Sequence, residues 1–147
     1  MDVECDFSKP EEVLRAFWTE MQAWELAAAK TSSLLSRSPE THDQWLELMR
    51  TSWRPNFEKY CTSRKRVTGE YRHIQTPFYY DPRFESIVEM TSTSPNRVVV
   101  KTQSVQKVKG KLLPTGEQYY VLYKRKDKWL IDNRYFYSLN KIVRGTL

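Results

Sequence analysis

The chain has 147 residues, of which 39% are hydrophobic and 29% are charged, and its formal net charge is +6. This length suits a single domain, and the composition excludes a disordered tail and a fibre. Aromatic residues make up 14% of the chain, which predicts a core or a groove built from large rings. The positive charge permits an anionic partner without identifying one.

The sequence predicts neither a secretory signal nor a membrane span. Its first residues, from Met1 to Asp6, are acidic and lack the basic and then apolar pattern of a signal peptide. No window approaches the roughly 20 apolar residues that a membrane span needs. The two cysteines, Cys5 and Cys61, are too far apart to indicate a disulfide framework or a zinc site. We therefore expect a cytoplasmic protein with two reduced thiols and no membrane partner.

The first predicted helix begins near Ser8, because Ser8 and Glu11 have the spacing of a capping box and Pro10 is tolerated in a first turn. Apolar residues then recur at three- and four-residue steps, which predicts an amphipathic helix that ends near residues 31–33 or slightly later. The apolar stripe consists of Val13, Leu14, Phe17, Trp18, Met21, Trp24 and Ala28. We expect this stripe to form core rather than a cofactor site.

A second helix is predicted to begin near Ser38 or at Thr41. Its apolar residues are Trp45, Leu46, Met49, Trp53, Phe57 and Tyr60. Pro55 lies inside this stretch and removes a backbone donor, so a kink or break is expected over residues 51–53. The helical part of the chain is thus expected to cover about residues 9–61.

Beyond the helices, aromatic and β-branched residues predict four strands, which cover residues 84–93, 98–108, 118–126 and 129–138. Leu113–Gly116 is predicted as the hairpin turn between the second and third strands. Such short turns favour antiparallel neighbours, because parallel pairs need a long crossover. The sequence therefore predicts an α+β fold, with N-terminal helices packed on one face of a strongly curved antiparallel sheet. One domain is expected over residues 1–147, with the sheet over about residues 70–139.

Alternation along the last predicted strand divides its side chains between two faces. One face is expected to carry Trp129, Ile131, Asn133, Tyr135 and Tyr137, and the other Leu130, Asp132, Arg134 and Phe136. Both faces carry rings, so neither is expected to be simply solvated. This pattern predicts a sheet that packs on helices at one face and contacts something else at the other.

Charge is divided unevenly along the chain. Residues 1–61 hold 7 basic and 11 acidic side chains, a net charge of −4, whereas residues 62–147 hold 17 basic and 7 acidic ones, a net charge of +10. One interpretation is that the basic half docks on an acidic surface or a nucleic-acid backbone. The other is that lysines on a solvated face guard strand edges against aggregation. The composition leaves both interpretations open.

No residue pattern singles out a catalytic centre. The chain has no Walker loop, no Gly-x-Gly-x-x-Gly and no Gly-x-Ser-x-Gly sequence. His42 and His73 are isolated in sequence, so no metal site is predicted. Acid–base chemistry would need only one or two carboxylates with a Tyr or a His, for which Asp132, Asp81 and His73 are candidates. Ordinary structural roles are favoured for all three, so we predict no catalytic residue, no metal and no cofactor.

Three stretches resemble a known superfamily. Residues 126–132, Lys-Asp-Lys-Trp-Leu-Ile-Asp, resemble the closing hairpin of the nuclear transport factor 2-like superfamily, whose last strand often carries a Trp, an aliphatic residue and a polar one. Residues 75–85, which contain a Tyr-Asp-Pro turn, and residues 17–25 of the first helix resemble the immunity proteins of this fold in bacterial polymorphic toxin systems. The resemblance covers about residues 10–138 and implies a cone-shaped, cystatin-like domain with a cavity between helices and sheet.

The resemblance also implies a non-catalytic inhibitor that binds and neutralises a cognate protein toxin in the bacterial cytosol. The basic sheet half indicates either an acidic toxin or a toxin face that is not a nucleic-acid channel. Independently, tight binding needs aromatic and Arg anchors within a polar rim, and the chain is rich in both. The predicted partner-binding residues are Tyr120, Lys124, Arg125, Lys128, Arg134, Lys101 and Lys107. The main alternative is a small-molecule-binding or isomerase- or dehydratase-like enzyme of the same fold. A nucleic-acid- or scaffold-binding module is a further, less favoured alternative. The oligomeric state is a separate question, for which a homodimer through the sheet is one option.

Overall fold

The computed structural model describes residues 4–35, 38–63, 80, 82–138 and 141–144. Within these residues, three helices are followed by five strands. The helices are α1 (Pro10–Leu35), α2 (His42–Thr51) and α3 (Arg54–Tyr60). The strands are β1 (Glu85–Ser94), β2 (Arg97–Val108), β3 (Lys111–Arg125), β4 (Lys128–Ser138) and β5 (Lys141–Arg144). The predicted α+β architecture is confirmed.

Helix α1 is the long amphipathic helix that its apolar stripe predicts, and it continues to Leu35. Its start differs from the predicted capping box. The hydroxyl of Ser8 instead donates to Asp6 Oδ1 over 2.6 Å, and the backbone N–H of Ser8 donates to the same oxygen over 3.0 Å. These two bonds hold the pKa of Asp6 below its usual value. The helix is therefore preceded by a side-chain-stabilised turn centred on Asp6.

The predicted break in the second helix is confirmed. Helix α2 ends at Thr51 and α3 begins at Arg54, which places Pro55 in the first turn of α3, where a missing N–H costs nothing. The indole N–H of Trp24 donates to Ser52 Oγ at this break over 2.7 Å. A second indole, that of Trp45 in α2, donates to Ser32 Oγ in α1 over 2.7 Å. These bonds tie the short helices to α1.

The strands form one antiparallel sheet in the order β1-β2-β3-β4-β5, as the short turns predict. The predicted turn at Leu113–Gly116 is wrong, because these residues lie inside β3. The chain turns instead at Lys109 and Gly110, whose φ angles are +50° and +79°. Two positive φ angles match the right-handed twist of a hairpin, and glycine adopts one of them without strain. Pro114 is accommodated beside a bulge in the β2–β3 register.

A second bulge changes which residues of β4 share a face. Leu122 pairs with Ile131, but Val121 pairs with Asn133, so Asp132 is an extra residue in β4. One extra residue exchanges the two faces for every residue that follows it. The predicted faces are therefore wrong after the bulge, and Arg134 joins Trp129 and Ile131 on the face towards the helices.

The core lies between the three helices and one face of the sheet. Rings of α1 meet two tyrosines edge to face: the centroids are 5.9 Å apart for Trp18 and Tyr120 of β3, and 5.5 Å apart for Phe17 and Tyr80, which precedes β1. The sheet contributes Val98, Val100, Tyr120, Leu122, Trp129 and Ile131. Complete burial of a side chain as large as Phe17 contributes about 2–3 kcal/mol. We call this face of the sheet the inner face.

Candidate protein-binding surface

The opposite face of the sheet carries a continuous set of side chains from three strands. All three helices contribute to the core on the inner face, so this outer face lies away from them. Its members alternate with the core residues along each strand. The outer face consists of Arg97, Val99, Lys101 and Gln103 of β2, Tyr119, Val121 and Tyr123 of β3, and Leu130, Asn133 and Tyr135 of β4.

Strand register arranges these side chains in rows that cross β2, β3 and β4. One row contains Lys101, Tyr119 and Tyr135, because Lys101 pairs with Tyr119 and Tyr119 pairs with Tyr135. A second row contains Arg97, Tyr123 and Leu130. Directly opposed side chains contact one another across strands, so each row is laterally supported. The outer face thus presents rings and cations that pack against their neighbours on adjacent strands.

Tyr123 is enclosed by two guanidinium groups. The Arg125 Cζ lies 5.0 Å from the centre of the Tyr123 ring, and the Arg97 Cζ lies 5.9 Å from it. Arg97 also donates from Nε to the Tyr123 hydroxyl over 3.3 Å and from Nη1 to Thr93 Oγ1 over 2.9 Å. A planar guanidinium can stack on a ring and still donate hydrogen bonds at its edge. The three side chains therefore form a pre-arranged aromatic and cationic group, the Tyr123 cluster.

Around the middle of the outer face, polar side chains restrain one another. The Lys101 Nζ lies 3.4 Å from Glu117 Oε1, and the Tyr119 hydroxyl donates to Glu117 Oε2 over 3.4 Å. The Asn133 Nδ2 donates to the Tyr135 hydroxyl over 2.8 Å. Half-buried rings with ordered polar neighbours are typical of protein recognition surfaces.

The fold agrees with the comparison with known families. The model of the family Imm-NTF2, described as NTF2 fold immunity protein, matches residues 9–142. The chain belongs to this immunity-protein family. The match covers both the helices and the sheet, which confirms the resemblance stated from the sequence. Comparison with curated proteins and with solved structures gives no match.

In this immunity-protein family member, the predicted cationic binding residues fall into separate groups. Arg125 and Lys128 are exposed beside the β3–β4 turn, and the neighbouring Lys124 is half-buried. Lys101 lies within the outer face, and Lys107 is exposed near the opposite end of the sheet. Ten residues of extended chain separate Arg97 from Lys107, a distance of about 30 Å. The two ends are therefore electrostatically independent at physiological salt.

Two predicted binding residues of this family member, Tyr120 and Arg134, lie on the inner face. Tyr120 is 1% exposed, and its hydroxyl accepts a hydrogen bond from Trp18 Nε1 over 3.2 Å. Burial raises the pKa of Tyr120 to about 12. Arg134 pairs with Tyr120 across the strands, and its Cζ lies 5.6 Å from the centre of the Tyr80 ring. The outer face is thus built without these two residues.

Of the three candidate acid–base residues of the immunity protein, Asp132 lies within the described residues. Asp132 Oδ1 accepts the Thr62 hydroxyl over 2.7 Å, and the Thr62 backbone N–H donates to the Ile131 carbonyl over 2.9 Å, so Asp132 anchors the segment after α3. His73 and Asp81 lie outside the described residues. The part of the chain that is described contains no group of three or more His, Cys, Asp or Glu side chains that could hold a metal ion. Cys5 and Cys61 are both free thiols.

Glu85 on the inner face accepts hydrogen bonds from three side chains. It accepts the hydroxyl of Thr102 over 2.6 Å and the amide of Gln118 over 3.3 Å, and it also accepts the hydroxyl of Ser104. These neutral donors engage both carboxylate oxygens, which gives Glu85 a structural role at the edge of the core.

None of the helices formed by the described residues is long and apolar enough to cross a membrane.

Arg97 and the exposed Leu112 and Leu113 were not identified from the sequence as surface features. Two signals in the sequence point to them. No acidic residue occurs between Arg97 and Gly116, so the basic stretch is longer than Lys101 and Lys107 alone indicate. The Lys-Gly pair at 109–110 is a hairpin-turn signal that places Leu112 and Leu113 close to the turn.

Proposed function

We propose that this protein is a cytoplasmic immunity protein of a bacterial toxin system, which binds a cognate protein toxin and neutralises it by contact alone. Membership of the immunity-protein family supports the proposal. The observation that carries it further is the Tyr123 cluster, in which Arg97 and Arg125 flank a half-buried ring on the outer face.

The energetic argument for the outer face concerns the cost of ordering side chains on binding. Tyr and Arg are enriched among the residues that dominate protein interfaces. Free arginine and lysine side chains lose conformational entropy on association, at about 0.5–1.5 kcal/mol for each ordered side chain. In the Tyr123 cluster, hydrogen bonds from Arg97 to Tyr123 and Thr93 already restrict that freedom. The cluster can therefore contribute contact area and charge with a reduced entropic cost.

The charge of the outer face indicates the charge of the partner surface that it would bind. Three cations, Arg97, Lys101 and Arg125, lie on or beside the outer face, and Glu117 is paired with Lys101. A toxin surface rich in carboxylates would be attracted and oriented by such a face. Neutralisation would then follow from covering the toxin surface, without any reaction at the immunity protein.

Co-expression with the product of the gene immediately upstream tests this function. We expect the wild-type chain to protect the host cell and to co-purify with the upstream protein. Replacing Arg97→Ala together with Tyr123→Thr should weaken the complex by about 100-fold or more, because interface anchors of this kind contribute 2 kcal/mol or more. Arg15→Ala is the matched control, since Arg15 is exposed on α1, away from the outer face.

Each outcome of this experiment has a defined meaning. Circular dichroism and thermal unfolding establish that the double variant is folded before binding is measured. Absence of both protection and co-purification with the wild-type chain would contradict the proposed function. Binding of RNA or DNA by the wild-type chain, with steep weakening at higher salt and no captured toxin, would favour the nucleic-acid module instead.

A further inference from the structure

The hairpin between β2 and β3 extends beyond the strands that flank it. β1 pairs with β2 only as far as Ser104, and β4 pairs with β3 only from Gln118 onward. Residues 106–113, which we call the ribbon, therefore pair with one another and with no other described strand. All the side chains of residues 106–113 are exposed. The ribbon is thus an accessible projection at the end of the sheet opposite the Tyr123 cluster.

Large apolar side chains on the ribbon are unusually exposed. Leu112 is 61% exposed, Leu113 is 47% exposed and Val108 is 41% exposed. A two-stranded ribbon gains little stability from such side chains, because it has no core to bury them in. Lysines on an exposed hairpin have a recognised role in opposing aggregation, but leucines have the reverse effect. Neither folding nor solubility accounts for the two leucines.

Strand pairing places a lysine beside an apolar residue on both sides of the ribbon. Lys107 is directly opposite Leu112 on one side, and Val108 is directly opposite Lys111 on the other. Lys109 lies at the turn, and no acidic residue occurs between Arg97 and Gly116. Both sides of the ribbon therefore combine positive charge with apolar surface, and neither side is purely apolar or purely charged.

We propose that the ribbon inserts into an acidic groove of the toxin, where each side of the ribbon meets one wall, with its leucine against an apolar patch and its lysine against carboxylates; this inference rests on the proposed function. A groove has two walls, which matches a ribbon that is mixed on both sides. A membrane surface requires apolar and charged residues to be segregated to different sides, and the ribbon lacks that segregation. Two ribbons in a homodimer would bring six lysines together, which charge repulsion opposes.

Matched variants of the full chain test the ribbon, with the upstream protein as the probe. Leu112→Ser with Leu113→Ser should raise the Kd by about 10-fold or more, since buried interface anchors carry most of the binding energy. Lys107→Glu with Lys111→Glu should lower the association rate constant by about 10-fold at low salt. The controls are Leu34→Ser, at a position 77% exposed on α1, and Lys9→Glu with Lys30→Glu, both exposed in the helical half. The control variants should bind like the wild-type chain.

The outcomes separate this inference from the function on which it rests. If the wild-type chain binds the toxin and both ribbon variants bind it equally well, the ribbon proposal is wrong and the proposed function stands. If the wild-type chain binds no toxin, both proposals fail. Ribbon variants that lose binding to anionic vesicles or lose self-association, while toxin affinity is unchanged, would assign the ribbon to a membrane or to a second copy and overturn the inference.

Discussion

At the scale of single residues, Tyr119 and Tyr120 illustrate how neighbouring rings acquire different roles. Tyr120 is buried against Trp18, whereas Tyr119 lies half-buried on the outer face with its hydroxyl towards Glu117. Alternation along the strand predicts that the two rings point to opposite faces. It does not predict which ring points inward, because β3 carries aromatic residues on both faces. That choice depends on where the helices pack.

The substitution Tyr120→Phe should lower stability at neutral pH by about 1–2 kcal/mol, because the buried Trp18 N–H loses its acceptor. It should also change the response to alkali. Burial raises the pKa of Tyr120 to about 12, so the unfolded state ionises first. Stability is complete below the ordinary tyrosine pKa near 10 and falls as the pH rises from there towards 12. The Tyr120→Phe variant has no phenol at this position, so its stability should fall less steeply above pH 10 than that of the wild-type protein.

Urea unfolding at a series of pH values measures both effects. In the wild-type protein, Tyr120 should add up to about 1.4 kcal/mol of destabilisation for each pH unit above 10. Tyr119→Phe is the control, since its hydroxyl is on the outer face. Identical alkaline profiles for the wild-type chain and Tyr120→Phe would contradict the assignment of this titration to Tyr120.

At the scale of secondary-structure elements, much of the fold follows from the sequence. Apolar periodicity predicts α1, Pro55 predicts the break between α2 and α3, and short turns predict an antiparallel sheet. The errors arise where a local signal competes with pairing across strands. Leu113–Gly116 has a turn-like composition, yet β2 extends to Val108 and pairs with these residues. The bulge at Asp132 has no local signal, because it depends on the register between β3 and β4.

The turn between β3 and β4 offers a test of how these strands are connected. Lys126 and Asp127 have φ angles of +49° and +63°, which side chains with a Cβ rarely adopt. The pair Asn-Gly is the preferred sequence for a two-residue turn with two positive φ angles. Lys126→Asn with Asp127→Gly should therefore stabilise the protein by about 1 kcal/mol or more, as measured by denaturant unfolding.

A neighbouring turn supplies the control for this substitution. Pro95 and Asn96 connect β1 to β2, and neither has a positive φ angle. Glycine at position 96 gains no relief from strain and adds freedom to the unfolded chain, so Asn96→Gly should lower stability by about 0.5–1 kcal/mol. Equal effects of the two glycine substitutions would contradict the role given to the positive φ angles.

At the scale of the whole molecule, the family could be identified from sequence, but the candidate binding surface could not be defined. The Trp-Leu-Ile-Asp stretch at 129–132 consists of consecutive residues, so its resemblance to the family can be recognised without a structure. The outer face is not local, because Arg97 and Tyr123 meet only through the β2–β3 register. The positions of the basic residues in the sequence likewise do not indicate that Lys107 and Arg125 lie at opposite ends of the sheet.

The division of charge between the two halves of the chain predicts how the wild-type protein would associate with the proposed toxin. The sheet half carries a net charge of +10 and the helical half carries −4, so an acidic partner should be steered towards the sheet. The association rate constant should fall by about 10-fold between about 50 and about 500 mM salt, whereas the dissociation rate constant should change little. Stopped-flow fluorescence of the complex with the upstream protein measures both constants.

Charge reversal at the β3–β4 end shows which cations produce this steering. Arg125→Glu with Lys128→Glu should slow association at low salt and flatten its salt dependence, because both cations are exposed beside the β3–β4 turn. Lys9→Glu with Lys30→Glu makes the same change in net charge within the helical half and should leave the slope unaltered. If both pairs flatten the slope equally, net charge rather than the sheet surface guides the encounter, and the predicted orientation is wrong.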